Sequence, residues 1–194
     1  MIPDGLTFEA DGHVYRYRGK AVPSVTQILE PLQLLDGARP EDLEYARERG
    51  SAVHLACHLY NMDTLDEAAL DPVLLPYLLG WKDFLTDTGF EITASEQPIF
   101  NRGLGYAGTP DFVGNYAGTT WVGDIKSGAV PSTVGAQLAA YQHALAKRPR
   151  RRMCVQLLGD GRYKIIEQKD LGDMSIFISA LNIHNFRART NAAA

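Results

Sequence analysis

The stretch "GTPDFVGNYAGTTWVGDIKSG", residues 108–128, holds two acids and a lysine within a segment rich in Thr, Val, Gly and aromatic residues. This composition predicts two neighbouring strands joined by a tight Ala-Gly turn. Because side chains alternate across a strand, we expect Asp124 and Lys126 to share one face. If the two strands pair, Asp111 on the first can meet Asp124 on the second.

Two carboxylates held close together repel each other, and a shared proton or a divalent cation relieves that repulsion. Oxygen ligands favour a hard cation, so the predicted cofactor is Mg²⁺ or Mn²⁺. A lysine beside the cation can orient or deprotonate a water and stabilise negative charge on a phosphate, which predicts phosphodiester hydrolysis. The alternative is that Asp124 and Lys126 form an exposed ion pair on an edge strand, with Asp111 as a turn acid beside Pro110.

The whole chain predicts an α/β (α+β mixed) fold. Its 194 residues, 45% of them hydrophobic, suffice for one domain with one core. The predicted order is a hairpin, helices, three strands, a helix, two strands and a helix, which gives a central mixed sheet flanked by helices. We expect one domain over residues 1–190 and a loose C-terminal tail over 191–194.

Helix signals mark several boundaries in the first half of the chain. Ser24, with Gln27 three residues later, predicts a capping box at the start of a short helix. A second helix is predicted from Pro40 to about Asn61. A third is expected to be capped by Asp71 and to end at Gly89.

Composition narrows the classes of protein to consider. The N-terminal segment has neither a basic start nor an apolar run, and no later stretch resembles a membrane span, so a soluble, cytoplasmic protein without membrane contact is predicted. Cys57 and Cys154 form no C-x-x-C pair, which argues against structural zinc and iron-sulfur clusters. We interpret both as buried thiols.

A basic run, "KRPRRR" at 147–152, places five positive charges in six residues of a chain whose formal net charge is −4. Such a cluster suits the phosphate backbone of a nucleic acid. We therefore predict that Arg150, Arg151 and Arg152 bind nucleic acid. The alternative is a solvated basic loop.

The spacing of the acids and the lysine resembles a known signature. Pro110-Asp111, followed thirteen positions later by Asp124-Ile125-Lys126, resembles the motif of the PD-(D/E)xK nuclease superfamily. Three further segments are similar, in the expected order, to motifs of its RecB-like and phage-type exonuclease branch: "RGSAVH" (49–54), "SEQPIF" (95–100) and "QLAAY" (137–141). The resemblance spans roughly residues 49–141 and implies a restriction-endonuclease-like core.

The resemblance also implies roles for individual residues. The implied metal ligands are His54, Asp111, Asp124 and the carbonyl of Ile125. Lys126 would serve the attacking water, together with Glu96 as an additional catalytic acid. The residues implied to contact nucleic acid are Gln137, Tyr141 and Ser127, although Gln137 and Tyr141 could instead contact a catalytic group.

The same residues have plainer explanations. His54 and His58 share a helix face and could be ordinary core or surface histidines. Their spacing is that of the zinc-protease motif H-E-x-x-H, but Leu55 stands where that motif needs its general base. We expect Glu96 to share an inward strand face with Ile92 and Ala94, and to be paired with Lys126 or a metal-bound water.

The sequence therefore predicts a magnesium-dependent DNA nuclease, most simply an exonuclease. The main rival is a non-catalytic nucleic-acid-binding or assembly module that retains the nuclease fold. A hydrolase acting on small phosphate esters is disfavoured, because the basic run offers more positive charge than a small substrate needs. The expected partner is DNA, with a recombination or replication protein as a second candidate partner, and an oligomer is compatible with the sequence.

Overall fold

In a computed structural model of the protein, which describes residues 2–9, 11–33 and 40–192, helices cover both faces of a mixed sheet. The strands are β1 (Leu6–Glu9), β2 (Val14–Tyr17), β3 (Lys20–Val22), β4 (Glu91–Ser95), β5 (Ile99–Asn101), β6 (Tyr106–Gly108), β7 (Phe112–Tyr116), β8 (Thr119–Lys126), β9 (Arg151–Leu157) and β10 (Tyr163–Glu167). The helices are α1 (Val25–Gln33), α2 (Pro40–Asn61), α3 (Leu75–Thr88), α4 (Val134–Ala144) and α5 (Asp173–Ala192).

The main sheet has the strand order β10-β9-β8-β7-β4 within the described residues. β8 and β9 are parallel and are linked through α4, whereas the other neighbouring strands are antiparallel. The prediction of a central mixed sheet flanked by helices is therefore confirmed. That the whole chain is one domain stays a prediction.

The sheet separates two hydrophobic clusters. On one face, Val122 packs with side chains of α1, α4 and α5. On the other, Ile125 packs with Val53 of α2 and Trp81 of α3. Gly123 has no room for a side chain, because a Cβ there would come within 1.9 Å of the Phe112 ring on β7. β8 thus alternates its side chains as predicted and carries Asp124 on the α4 side.

Two regions contain more strands than predicted. β3 adds a third strand to the predicted N-terminal hairpin. The predicted three-strand meander is divided into β4 to β8, and β5 pairs with β6 in a separate ribbon. Pro98 and Pro110 lie at the two interruptions, where a residue without an N–H cannot continue a ladder.

The helix boundaries follow the capping signals. The Gln27 amide donates to Ser24 Oγ over 3.1 Å, and the Ser24 amide donates to Gln27 Oε1 over 2.9 Å, which confirms the capping box. Asp71 caps a short 3-10 turn before α3, and Gly89, with a φ of 64°, ends α3.

The C-terminal helix is longer than predicted. α5 continues to Ala192, so residues 191 and 192 are helical rather than part of a loose tail, and 193–194 lie outside the described residues. In the described part of the chain, no helix combines the length and the apolar character that crossing a membrane requires.

Candidate metal centre

The acids predicted from the sequence meet at one end of β7 and β8. Phe112 pairs with Gly123, so the next residues, Asp111 and Asp124, lie at the same level of the two strands. The Ile125 amide donates to Asp111 Oδ2 over 2.5 Å. Asp111 is 8% exposed and Asp124 only 1%. Because β8 lies between β7 and β9, the alternative of an exposed edge-strand ion pair is wrong.

α2 contributes a histidine to the same place. His54 Nδ1 lies 3.3 Å from Asp111 Oδ1 and 4.0 Å from Glu96 Oε1. One ligand atom from each of these three residues lies within 4.8 Å of the others. His54 and Glu96 are both partly exposed, so solvent reaches the cluster. One nitrogen and two carboxylates at this spacing can hold a divalent cation.

Glu96 reaches the cluster by a route that the strand pattern did not predict. The ladder between β4 and β7 is irregular between Ile92 and Ala94. Ile92 therefore packs in the cluster on the α3 side and Ala94 in the cluster on the α4 side, so the expected shared face is wrong. Glu96 follows β4 with a φ of 50°, and its amide donates to the Asp111 carbonyl over 3.1 Å. Among the described residues, its charged neighbour within 4.0 Å is His54 rather than Lys126.

α4 holds Asp124 from the other side. Lys126 Nζ lies 2.7 Å from Asp124 Oδ2 in a buried ion pair. Gln137 Nε2 donates to Asp124 Oδ1 over 3.0 Å and to Tyr141 Oη over 3.2 Å. Both α4 side chains are buried, so the prediction that Gln137 and Tyr141 contact nucleic acid is wrong. Gln137 instead contacts Asp124, a candidate catalytic group, and Tyr141 supports Gln137.

Ile125 lies between Asp124 and Lys126 on β8, Ser127 follows the strand, and each makes a different contact. The Ile125 side chain is buried on the α3 side. Its amide faces Asp111, and the carbonyl of a strand residue points to the same side of the strand as its amide. The Ser127 carbonyl accepts a hydrogen bond from Arg49 Nη2 over 3.3 Å. Sequence reasoning missed Arg49, although it is the first residue of the quoted "RGSAVH" segment.

Burial and mutual charge shift the pKa values of the cluster. Burial alone would lower the pKa of His54, but the neighbouring Asp111 carboxylate outweighs it and raises this pKa to about 9. Burial and the Asp111 charge raise the pKa of Glu96 to about 8. Burial likewise raises the pKa of Asp124 despite the Lys126 ammonium. Burial opposes charge on Lys126, but Asp124 and Asp111 raise its pKa. The site therefore favours added positive charge, which protons or a cation can supply.

A second layer of polar contacts, also missed from the sequence, supports Asp111. Ser95 Oγ donates to the Asp111 carbonyl over 3.3 Å. It also lies 2.9 Å from His58 Nδ1 and accepts from Asn61 Nδ2 over 3.2 Å. His58 therefore joins a network between α2 and β4 while His54 faces the acids, so the two histidines of one helix face have different roles.

The basic run divides into residues with different environments. Arg152 is 7% exposed. Its Nη1 lies 3.0 Å from Asp173 Oδ2, and it donates to two backbone carbonyls over 3.1 and 2.8 Å. The prediction that Arg152 binds nucleic acid is wrong, because its guanidinium is enclosed by partners. Arg150 and Arg151 are exposed.

The exposed arginines lie away from the acids. The parallel register places Arg151 beside Trp121 at the start of β8, with its guanidinium 5.4 Å from the Trp121 ring centre. Lys126 is five residues further along β8, a distance of about 16 Å at strand rise. Nucleic-acid binding by Arg150 and Arg151 stays a prediction, at a place separate from the metal cluster.

Comparisons with known proteins give distant structural likenesses. No protein-family model and no curated protein matches the sequence. The chain is similar to the crystal structure of an alkaline exonuclease (LHK-Exo) from Laribacter hongkongensis, at 15% identity and a TM-score of 0.40, over 88% of this chain and 92% of that one. It is also similar to the crystal structure of LHK-Exo in complex with dAMP, at 17% identity and a TM-score of 0.38, over 89% of this chain and 93% of that one. A third similar structure is the crystal structure of SSO0001, at 17% identity and a TM-score of 0.37, over 84% of each chain.

Proposed function

We propose that the protein is a divalent-metal-dependent nuclease that hydrolyses DNA phosphodiester bonds, working from a strand end. The observation that carries this proposal is the meeting of His54, Glu96 and Asp111 with the Asp124–Lys126 pair at one end of β7 and β8. Carboxylates and an imidazole fit Mg²⁺ or Mn²⁺. The raised pKa of Glu96 supports the fit, because it reflects excess negative charge that a cation would neutralise.

The proposed ligands are His54, Asp111, Asp124 and the Ile125 carbonyl. Glu96, whose carboxylate oxygen lies within 4.8 Å of the His54 and Asp111 ligand atoms, would stand beside the ion as a further ligand or as a base. A bound magnesium ion would polarise the scissile phosphate and lower the pKa of its water. Asp111 is held for this task by the Ile125 amide, and Asp124 by Gln137.

Lys126 and Glu96 would act on the water and on the developing charge. In the metal-free protein the Asp124 and Asp111 charges raise the pKa of Lys126, which favours its ammonium form, and an ammonium is suited to orienting a water and stabilising negative charge. Glu96 is partly exposed and lies beside His54 and Asp111, so it would be placed to accept the water's proton once a cation has neutralised the negative charge that raises its pKa. Of the two roles predicted for Lys126, we therefore favour orientation and charge stabilisation.

The rival function is a non-catalytic nucleic-acid-binding or assembly module. The buried ion pair and the hydrogen bond from Gln137 favour catalysis, because such costly groups have no use in a surface that only binds. A recombination or replication partner and a cytoplasmic location stay predictions.

Digestion of linear and of covalently closed DNA tests the proposal. Both substrates are incubated with the protein and Mg²⁺, with Mn²⁺, or with excess chelator, and Asp124→Asn serves as the matched control. We expect loss of linear DNA alone, only with metal, and none with Asp124→Asn. Cutting of closed circles would make the enzyme an endonuclease. Binding of DNA without cleavage under every condition would favour the non-catalytic module.

A further inference from the structure

An arginine and an exposed aromatic ring lie side by side on α2, just beyond the candidate site. Arg49 Nη2 donates to the carbonyl of Ser127, the residue that follows Lys126 at the end of β8. Arg49 thus contacts the neighbour in sequence of Lys126, the lysine proposed to act on the scissile phosphate. A substrate strand that passes Lys126 on this side would meet Arg49 next.

The Arg49 guanidinium has few hydrogen-bond partners among the side chains that the structure describes. Its hydrogen-bond partner in the described part of the chain is the Ser127 carbonyl. Its Nε is buried without a hydrogen-bond partner. A buried donor without a partner costs about 1–3 kcal/mol, and more on a charged group. Arg49 as a whole is only partly buried, and an anion bound beside the guanidinium would offset part of the cost of burying its charge.

Tyr45 supplies an aromatic surface beside this charge. The guanidinium carbon of Arg49 lies 5.7 Å from the ring centre of Tyr45 and 5.5 Å from that of Tyr77. Tyr77 is buried, whereas Tyr45 is 59% exposed. Tyr45 and Arg49 are four residues apart and share a face of α2. An exposed ring next to a cation is the combination by which proteins hold single-stranded nucleic acid, since the ring stacks on a base and the cation binds the phosphate.

We propose that Tyr45, Arg49 and Ser127 form a nucleotide subsite that holds the single strand adjoining the cleaved bond. Arg49 binds a phosphate of that strand, Tyr45 stacks on a base, and Ser127 links the subsite to Lys126. The inference rests on the proposed nuclease function and adds to it the path of the strand along α2.

The test is a binding titration that does not require cleavage. A fluorescent single-stranded oligonucleotide is titrated, in excess chelator and over a series of salt concentrations, with the parent protein and with Tyr45→Ala, Tyr45→Phe, Arg49→Gln and Arg187→Gln. The last variant removes the same charge from the exposed side of α5. We expect Tyr45→Ala to weaken binding about tenfold and Tyr45→Phe to bind like the parent. Arg49→Gln should weaken binding and reduce the salt slope by about 0.7, and Arg187→Gln should leave that slope unchanged.

The outcomes separate the two proposals. Tyr45→Ala removes an exposed ring, so its binding is interpretable even if Arg49→Gln loses stability in thermal unfolding. Parent-like affinity of Tyr45→Ala overturns the subsite, whether or not the parent cleaves DNA in magnesium. A parent that binds and loses affinity on these substitutions, yet never cleaves, keeps the subsite and overturns the nuclease. A parent that does not bind DNA overturns both.

Discussion

Gln137 Nε2 lies 3.0 Å from Asp124 Oδ1, so α4 supports the acid that β8 brings to the candidate site. The other Asp124 oxygen faces Lys126 at 2.7 Å. Asp124 is therefore held by a neutral donor on one oxygen and by a cation on the other. Each partner can be removed separately, which makes their contributions measurable.

Replacing Gln137 by leucine should impair catalysis more than stability. Loss of a hydrogen bond behind a metal ligand typically lowers metal affinity or activity by about 10- to 100-fold. We expect kcat/KM and the magnesium requirement of Gln137→Leu to change by this order. Gln142→Leu is the matched control, because Gln142 lies on the same helix and donates to the Pro149 carbonyl. Equal activity of the two variants would show that Asp124 does not need its α4 partner.

Lys126→Met should lose cleavage and also lose stability. Removing the ammonium leaves the buried Asp124 carboxylate unpaired, and breaking a buried pair costs about 3–5 kcal/mol. The double variant Lys126→Met/Asp124→Asn should recover much of this free energy of unfolding while staying inactive. Denaturant unfolding and a cleavage assay on the three proteins measure both effects. Parent-like cleavage by Lys126→Met would remove Lys126 from the mechanism.

The metal-free protein should lose stability as the pH rises from neutral towards 9. The pKa of His54 is raised to about 9, so its stabilising contribution is complete below the unfolded-state value near 6.5 and is lost as the pH rises through 9. The pKa of Glu96 is raised from 4.5 to about 8, so its ionisation also lowers the stability of the folded protein as the pH rises between these two values. Thermal unfolding in chelator at a series of pH values measures this decline.

Magnesium should oppose the same decline. Metal ligands must be deprotonated, so the Tm difference between magnesium and chelator should grow with pH over this window. In Glu96→Gln the decline in chelator should be shallower, because one of the two titrating groups is gone. A Tm that is independent of pH between 6.5 and 9 would contradict the charge coupling described here.

Single substitutions should separate the roles of the basic run. Arg152→Ser should lower the free energy of unfolding by about 2–3 kcal/mol, because it leaves Asp173 and two backbone carbonyls without their buried partner. Arg150→Ser should leave stability unchanged and, if Arg150 binds a phosphate, reduce the salt slope on duplex DNA by about 0.9. Salt titrations of Arg150→Ser and the parent that superimpose would assign Arg150 to the solvated surface.

The sequence predicted the residues that depend on local pattern. Alternation along β8 placed Asp124 and Lys126 on one face, and the resemblance of the "RGSAVH" segment to a nuclease motif implied that His54 lies at the same site. Contacts between distant elements were not readable in this way. Ser95 and Asn61 meet because α2 packs beside β4, and no periodicity within either segment indicates that contact.

Arg152 shows a different failure. A run of positive charge predicts a solvated surface or a phosphate contact, but Arg152 lies two residues before the buried Cys154 on β9. Alternation from Cys154 places Arg152 on the sheet face that α4 and α5 cover, where Asp173 meets it. Because helices cover both faces of this central strand, the charge run alone does not show which of its residues are buried.

The two hydrophobic clusters lie on opposite faces of the sheet, and the candidate site draws on both. His54 belongs to α2, which packs on the Ile125 face, and Asp124 is held by α4, which packs on the Val122 face. A cation shared by these residues would be a cross-link between the two layers. Amide hydrogen exchange of α2 and of α4 should then slow together when magnesium is added, and the two helices should open independently in chelator.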